Sequence, residues 1–208
     1  MESIAEIGVL QYLHHVDQAV TLAINSLNCP FTDRIWMLFS NREIWFPMYI
    51  IIAIFLFIRL GWKRATVVTI ACILTVTACD QFGNFVKDAV QRLRPCWDLN
   101  MVNGGLHLLE GKGNLYGFYS AHAANTLGFA VCSLKGFKID KTRSYKAYSI
   151  CIVLWAFLVG MSRVFVGKHF FGDVCAGFIV GIIFGGVMAK IAELIINRIE
   201  RKPSPSER

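Results

Sequence analysis

Five apolar stretches, residues 44–58, 65–79, 116–134, 147–161 and 174–189, leave this chain of 208 residues few ways to fold. Two of them, 44–58 and 147–161, are apolar all round, without the polar stripe that a helix of a water-soluble bundle carries. Charged residues make up 17% of the chain, against about a quarter in soluble domains, so much of the surface is expected to face lipid. The pattern predicts an all-α integral-membrane bundle of five transmembrane helices, or six if the N-terminal segment also crosses. Several stretches hold only about fifteen uncharged residues where a span needs roughly 20. Each helix must therefore run on into polar sequence, and ionisable groups at a membrane edge are candidates for function.

The N-terminal segment, residues 4–39, differs in kind. Gln11, His14, His15, Asp17 and Gln18 interrupt its apolar residues, and Cys29-Pro30 divides it. Two amphipathic helices lying in the membrane interface are expected there. The chain begins Met-Glu-Ser, with no basic stretch ahead of a short apolar one, so insertion is expected to rest on the spans themselves. Residues 201–208 read as a disordered cytoplasmic tail, which makes residues 1–200 one membrane-embedded domain. Of seven cysteines, five lie in apolar runs and act as small hydrophobes. Cys29 and Cys96 fall in loops and would pair only if both faced an oxidising compartment.

A net charge of +7 would raise nucleic acid as a partner of a soluble protein. Here the basic residues cluster between apolar runs: Arg59, Lys63 and Arg64; Lys135, Lys138, Lys141, Arg143 and Lys146; Arg198, Arg201 and Lys202. The partner they imply is the bilayer, with no nucleic acid. Five spans put all three clusters on one side, which the positive-inside rule makes cytoplasmic. The other side receives residues 80–115 and 162–173, and every unusual polar cluster lies there.

Three such clusters carry chemistry. Asp80, Asn84, Lys87 and Gln91 recur at helical spacing, with Arg94-Pro95 beyond them; a snorkelling helix end would look the same. Ser120, Ala121 and His122 follow a glycine-rich loop and open an uncharged helix, whose free N–H groups make an anion site. A plain N-cap would account for Ser120 alone. His169 and Asp173 stand four apart, so that on a helix the carboxylate would fix the imidazole tautomer and leave the other nitrogen to attack. Arg163 adds a planar fork of donors for phosphate oxygens. Two histidines, an orienting aspartate, several cations and a helix N-terminus suit in-line phosphoryl transfer. No metal-ligand spacing accompanies them, so neither metal nor cofactor is expected.

These residues resemble the type-2 phosphatidic acid phosphatase superfamily, the lipid phosphate phosphatases. Lys87, Arg94 and Pro95 fit its K-x6-R-P motif, and Ser162, Arg163, His169 and Asp173 fit S-R-x5-H-x3-D. The middle motif, P-S-G-H, departs at two places, with Tyr119 for proline and Ala121 for glycine; Tyr119 is expected to reshape the pocket. The resemblance implies that His169 is the nucleophile, Asp173 orients it and His122 is the general acid, with Lys87, Arg94, Ser120, Ala121 and Arg163 binding phosphate. It implies metal-independent release of phosphate, from a monoester or diphosphate, through a phosphohistidine. The substrate would be a membrane lipid at the periplasmic face of a bacterial inner membrane, foremost lipid A or undecaprenyl diphosphate. Phosphatidylglycerophosphate or phosphatidic acid is the alternative. A non-catalytic lipid-binding or transport protein on the same scaffold would keep the cations, but the retention of both histidines and Asp173 speaks against it. Nothing in the sequence sets an oligomeric state.

Overall fold

Two helices open the computed structural model, which describes residues 4–201. Helix α1 (Ile4–Asn25) and helix α2 (Pro30–Ser40) are separated where the sequence breaks at Cys29-Pro30. Cys29 caps α2: its Sγ accepts from the Thr32 N–H, and Thr32 Oγ1 accepts from the Cys29 N–H at 2.9 Å. Pro30 occupies the first helical position, where its missing N–H costs nothing. Cys29 is an exposed free thiol, whereas Cys96 is buried with its Sγ directed at the Lys112 carbonyl. The two do not pair. The expected tail lies, from residue 202 on, outside the described residues.

Helix α3 (Phe46–Val90) runs for 45 residues but breaks at Gly61, whose φ of 72° and ψ of 167° only glycine adopts readily. Its two arms double back. Trp45, at the start, donates to the Phe39 carbonyl beside the end of α2. Arg59, just before the break, pairs with Asp140 at 2.6 Å, and Arg64, just after it, pairs with Glu200. Asp140 lies between helix α5 (Ala121–Phe137) and helix α6 (Lys146–Phe165), and Glu200 ends helix α7 (Phe171–Glu200). The three basic clusters therefore gather at one end of the bundle, as the loop charges foretold. The polar loops, with the short helix α4 (Leu99–Asn103), occupy the other.

Among the described residues three helical segments are long and apolar enough to cross a membrane: Glu43–Val90, Lys146–Phe165 and Phe171–Glu200. The stretch from residue 116 differs from expectation. Its helix starts only at Ala121 and has 17 residues, because residues 116–120 belong to the site loop. Small side chains explain why so short a helix is stable. Ala123, Ala124, Gly128, Ala130, Cys132, Ser133 and Gly136 bury α5 among α3, α6 and α7. Gly177, Gly181 and Gly185 of α7 form one stripe against it. A Cβ at those positions would fall 2.5, 2.5 and 2.4 Å from the carbonyl oxygens of Ser120, Ala124 and Gly128. Backbone meets backbone there, the close approach that small residues permit between membrane helices.

Helix α1 is amphipathic, as expected; Gln18, Thr21 and Asn25 turn into the protein, while Gln11 and His15 are exposed. Asn25 is buried and donates to the carbonyls of His107, Val164 and Phe165 at 3.0–3.1 Å. Thr21 accepts from the Phe171 N–H at 3.0 Å, and Gln18 donates to Asp98 at 2.8 Å. Val9, Leu10 and Leu13 are left exposed on the other side. The helix lies across the polar end of the bundle and ties the site loops down.

Candidate active site

The spacing of the S-R-x5-H motif has a backbone cause. Helix α6 ends at Phe165, and Gly167, with φ of 75°, turns the chain back over the helix terminus. The N–H groups of Lys168 and His169 then both donate to the Arg163 carbonyl, at 3.0 and 3.1 Å. This is a helix C-cap closed by a left-handed glycine. It delivers His169 beside Arg163, with both side chains buried. His169 thus stands in a turn, not on a helix as the four-residue spacing to Asp173 suggested. The Ser162 hydroxyl donates back along α6 to the Val159 carbonyl at 2.7 Å.

Asp173 sits in the first turn of α7, wholly buried. Its Oδ2 accepts from the Phe170 N–H at 3.0 Å and lies 3.5 Å from His169 Nδ1. That separation exceeds a normal N–H···O bond, and His169 Nδ1 has no hydrogen-bond partner. The carboxylate therefore faces the imidazole as a close charge. Its other oxygen, Oδ1, accepts from Arg92 Nη1 at 2.7 Å.

Arg94 arrives by a different route. Helix α3 ends at Val90 with Gln91 as its cap, and residues 92–94 run antiparallel to 115–117: the Arg94 N–H donates to the Leu115 carbonyl at 3.0 Å and the Gly117 N–H to the Arg92 carbonyl at 2.9 Å. Arg94 Nε donates to the Tyr116 carbonyl at 3.1 Å. Gly117 is the point around which the site closes. A Cβ there would lie 2.9 Å from Arg94 Cγ, 3.4 Å from Asp173 Oδ2 and 3.5 Å from His169 Nδ1. Three of the expected residues thus surround one glycine.

Ser120 is the N-cap of α5, yet its side chain makes no capping bond. The hydroxyl is buried without a partner. The plain N-cap reading fails on that observation, since among the described residues the hydroxyl has no partner. Ala121 opens the helix and offers an N–H that no turn of α5 can use. His122 follows, partly exposed, with Arg163, Arg94, Arg42 and His169 as its ionisable neighbours. Tyr119 does not shape the pocket, contrary to expectation. It is fully buried, donates its hydroxyl to the Cys79 carbonyl of α3 at 2.7 Å, and packs near Ala124, Val86 and Phe184. Burying the ring gives the phenol a carbonyl to bond and fixes the loop to α3.

Arg163 is held by Ser40 of α2 and by Glu110 of the glycine-rich loop, whose oxygens lie 3.3 Å from Nη1, while its buried Nε has no partner. Lys168 donates to the Gly111 carbonyl. These cations and the apolar enclosure act on His169. Burial first, then the charges of Arg94, Arg163, Lys87 and Lys168, push its pKa well below that of an ordinary histidine. The imidazole is consequently neutral near pH 7, the form a nucleophile needs. Among the described residues no three His, Cys, Asp or Glu side chains gather to hold a metal ion.

The structure brings His169, Asp173, Arg94, Arg163 and Ser120 together. Lys87 enters through its charge on His169, and His122 lies near Arg163 and His169. Sequence reasoning missed Arg92, Asp17, Glu110 and Lys168. The first and last lie inside quoted motifs, at positions those motifs leave free. Asp17 was visible among the polar residues of the N-terminal segment, which was read as lying in the membrane interface.

The chain belongs to the PAP2 superfamily, whose family model matches residues 66–196, and within it is a lipid phosphatase. It is 34% identical over 194 residues to a lipid A 4'-phosphatase of Bacteroides thetaiotaomicron, covering 92% of this chain and 84% of the relative. A lipid A 4'-phosphatase of Porphyromonas gingivalis is 28% identical over 183 residues, covering 88% and 75%. In fold the chain is similar to a transmembrane PAP2 type phosphatidylglycerolphosphate phosphatase from Bacillus subtilis, with a TM-score of 0.65, 18% identity and 88% of each chain covered.

Proposed function

We propose that this enzyme releases phosphate from an envelope glycolipid of the lipid A kind, through a phosphohistidine on His169, at the outer face of a bacterial inner membrane. The observation that carries the chemistry is the convergence of Arg94, His169 and Asp173 on Gly117, beside a buried Ser120 hydroxyl with nothing to bond. With Nδ1 turned to Asp173, Nε2 of His169 attacks phosphorus in line as the bond to the lipid oxygen breaks. His122 gives a proton to that leaving oxygen. In the second step His122 takes a proton from water, which attacks the phosphohistidine, and inorganic phosphate leaves with His169 restored. Lys87, Arg94, Arg163, Ser120 and the Ala121 N–H hold the equatorial oxygens throughout. The reaction asks no metal, since these groups supply the charge.

Five crossings are assigned to the two arms of α3 and to α5, α6 and α7, as one domain with α1 and α2 at the interface. The gathering of the basic clusters at the far end supports a cytoplasmic position for that end and a periplasmic one for the site. The two relatives that bear the lipid A name favour a glycolipid over undecaprenyl diphosphate, phosphatidylglycerophosphate or phosphatidic acid. Phosphate release from these four lipids by the purified enzyme, with and without a chelator, tests the reading. Lipid A should be the best substrate, chelation should change nothing, and His169→Ala should abolish turnover. Wild-type turnover in that variant would remove the nucleophile, and chelator sensitivity would remove the metal-independent mechanism.

A further inference from the structure

We infer that Arg92 and Asp17 are positioning residues of the phosphatase, and that helix α1 belongs to the catalytic apparatus through them. The inference rests on the site reading above. Both terminal nitrogens of Arg92 are engaged by carboxylates: Nη1 donates to Asp173 Oδ1 at 2.7 Å and Nη2 to Asp17 Oδ2 at 2.6 Å. Asp17 in turn accepts the Gly172 N–H on its Oδ1 at 2.8 Å. The guanidinium lies 4.1 Å over the Phe170 ring, and His14 Nδ1 stands 3.2 Å from Nη2. His14 also packs edge-on against Phe170. Every charged or titratable group bonded to Arg92 thus comes from α1 or from the first turn of α7.

Three features set this cluster apart from an ordinary ion pair. Asp173 is entirely buried, and a buried carboxylate without a paired cation is costly. Arg92 is the cation that reaches it, through a single charge-assisted bond from Nη1. The same carboxylate carries, on its second oxygen, the Phe170 N–H and the close approach to His169 Nδ1. Fixing Oδ1 therefore fixes where Oδ2 points. Both terminal nitrogens of Arg92 are already bonded to carboxylates, whereas Arg94, two residues on, is bonded through Nε alone. Asp17 clamps the arrangement from outside by holding both Arg92 and the backbone of Gly172. A Cβ at Gly172 would lie 2.7 Å from Asp17 Oδ2, so α1 and the start of α7 are in direct contact here.

The test is steady-state kinetics on lipid A in detergent micelles for Arg92→Gln, Arg92→Lys, Asp17→Asn and the Asp17→Asn/Arg92→Gln double variant, with thermal midpoints alongside. Loss of an outer partner that orients a reacting group costs about 10- to 100-fold elsewhere. A fall of that order in kcat is expected for Arg92→Gln with KM held, because Arg92 touches no substrate. Arg92→Lys should recover part of it, and the double variant should be no worse than Arg92→Gln, since the two residues act as one unit. A raised KM at unchanged kcat would make Arg92 a phosphate ligand and overturn the inference. So would wild-type kcat in Arg92→Gln. If Arg92→Gln does not fold, Asp17→Asn decides: it keeps an oxygen for Gly172, and unchanged kcat there overturns the role of α1. His169→Ala in parallel separates the two readings. Turnover kept in that variant sinks the site itself, whereas an inactive His169→Ala beside a wild-type Arg92→Gln sinks this inference alone.

Discussion

The backbone N–H of Ser120 donates to the carbonyl oxygen of Asp173 at 3.0 Å. One bond thereby joins the start of α5, which carries the free first-turn N–H groups and His122, to the start of α7, which carries the carboxylate behind His169. The glycine stripe of α7 sets the distance between those helices, so packing deep in the bundle reaches the site.

That coupling makes Gly181 a sensitive position. A Cβ there would stand 2.5 Å from the Ala124 carbonyl oxygen and 2.9 Å from the Gly128 nitrogen, whereas one at Gly186 meets only Lys135 Nζ at 3.8 Å. Gly181→Ala is expected to lower stability by about 1–3 kcal/mol, the usual cost of overpacking, and to reduce activity with it. Gly186→Ala should do neither. Thermal unfolding and phosphate release on the two variants compare them directly.

Ser120→Ala should leave the protein as stable as the wild type, because the hydroxyl makes no bond in the structure. Losing one preorganised donor to a transition state typically costs about 10²–10³ in rate, and kcat/KM should fall towards that range. A variant that unfolds earlier without losing rate would return Ser120 to a structural part.

The lowered pKa of His169 has a sign that can be read in a pH profile. The nucleophile must be neutral, so the acid limb of kcat/KM should lie below about pH 6.5, the value for an unperturbed histidine. Lys168 is one of the cations that hold it down. Lys168→Gln retains a donor for the Gly111 carbonyl but removes the charge, which lets the imidazole pKa rise and moves the acid limb to higher pH. A limb that stays still, or moves to lower pH, would contradict the electrostatic account.

Orientation can be tested on the exposed thiol of Cys29, whose pKa is lowered chiefly by the Thr32 side chain. It lies with α1 and α2 at the site end. In a variant keeping Cys29 as its sole cysteine, a membrane-impermeant maleimide should label intact spheroplasts without permeabilisation. Labelling only after permeabilisation would put the site in the cytoplasm.

Much of the candidate site was legible because its residues sit at fixed offsets along short segments. The Arg163–His169 spacing is that of a helix end closed by Gly167, and Lys87, Arg94 and Pro95 mark the end of α3. Basic loops signalled which segments share an end. Arg92 escaped notice because its partners, Asp17 and Asp173, stand 75 and 81 residues away. Tyr119 was misread because only the packed structure shows its ring turned into the bundle.

The sequence by itself determined the helices, their membrane character and the chemical groups available, since apolar run length and motif spacing are local properties. Tertiary structure alone decided that α1 turns Gln18, Thr21 and Asn25 inward, that Asp173 takes its cation from Arg92, and that Gly117 admits no side chain. Those outcomes depend on which surfaces meet once α5 and α7 have closed to backbone contact, and no local pattern encodes that distance.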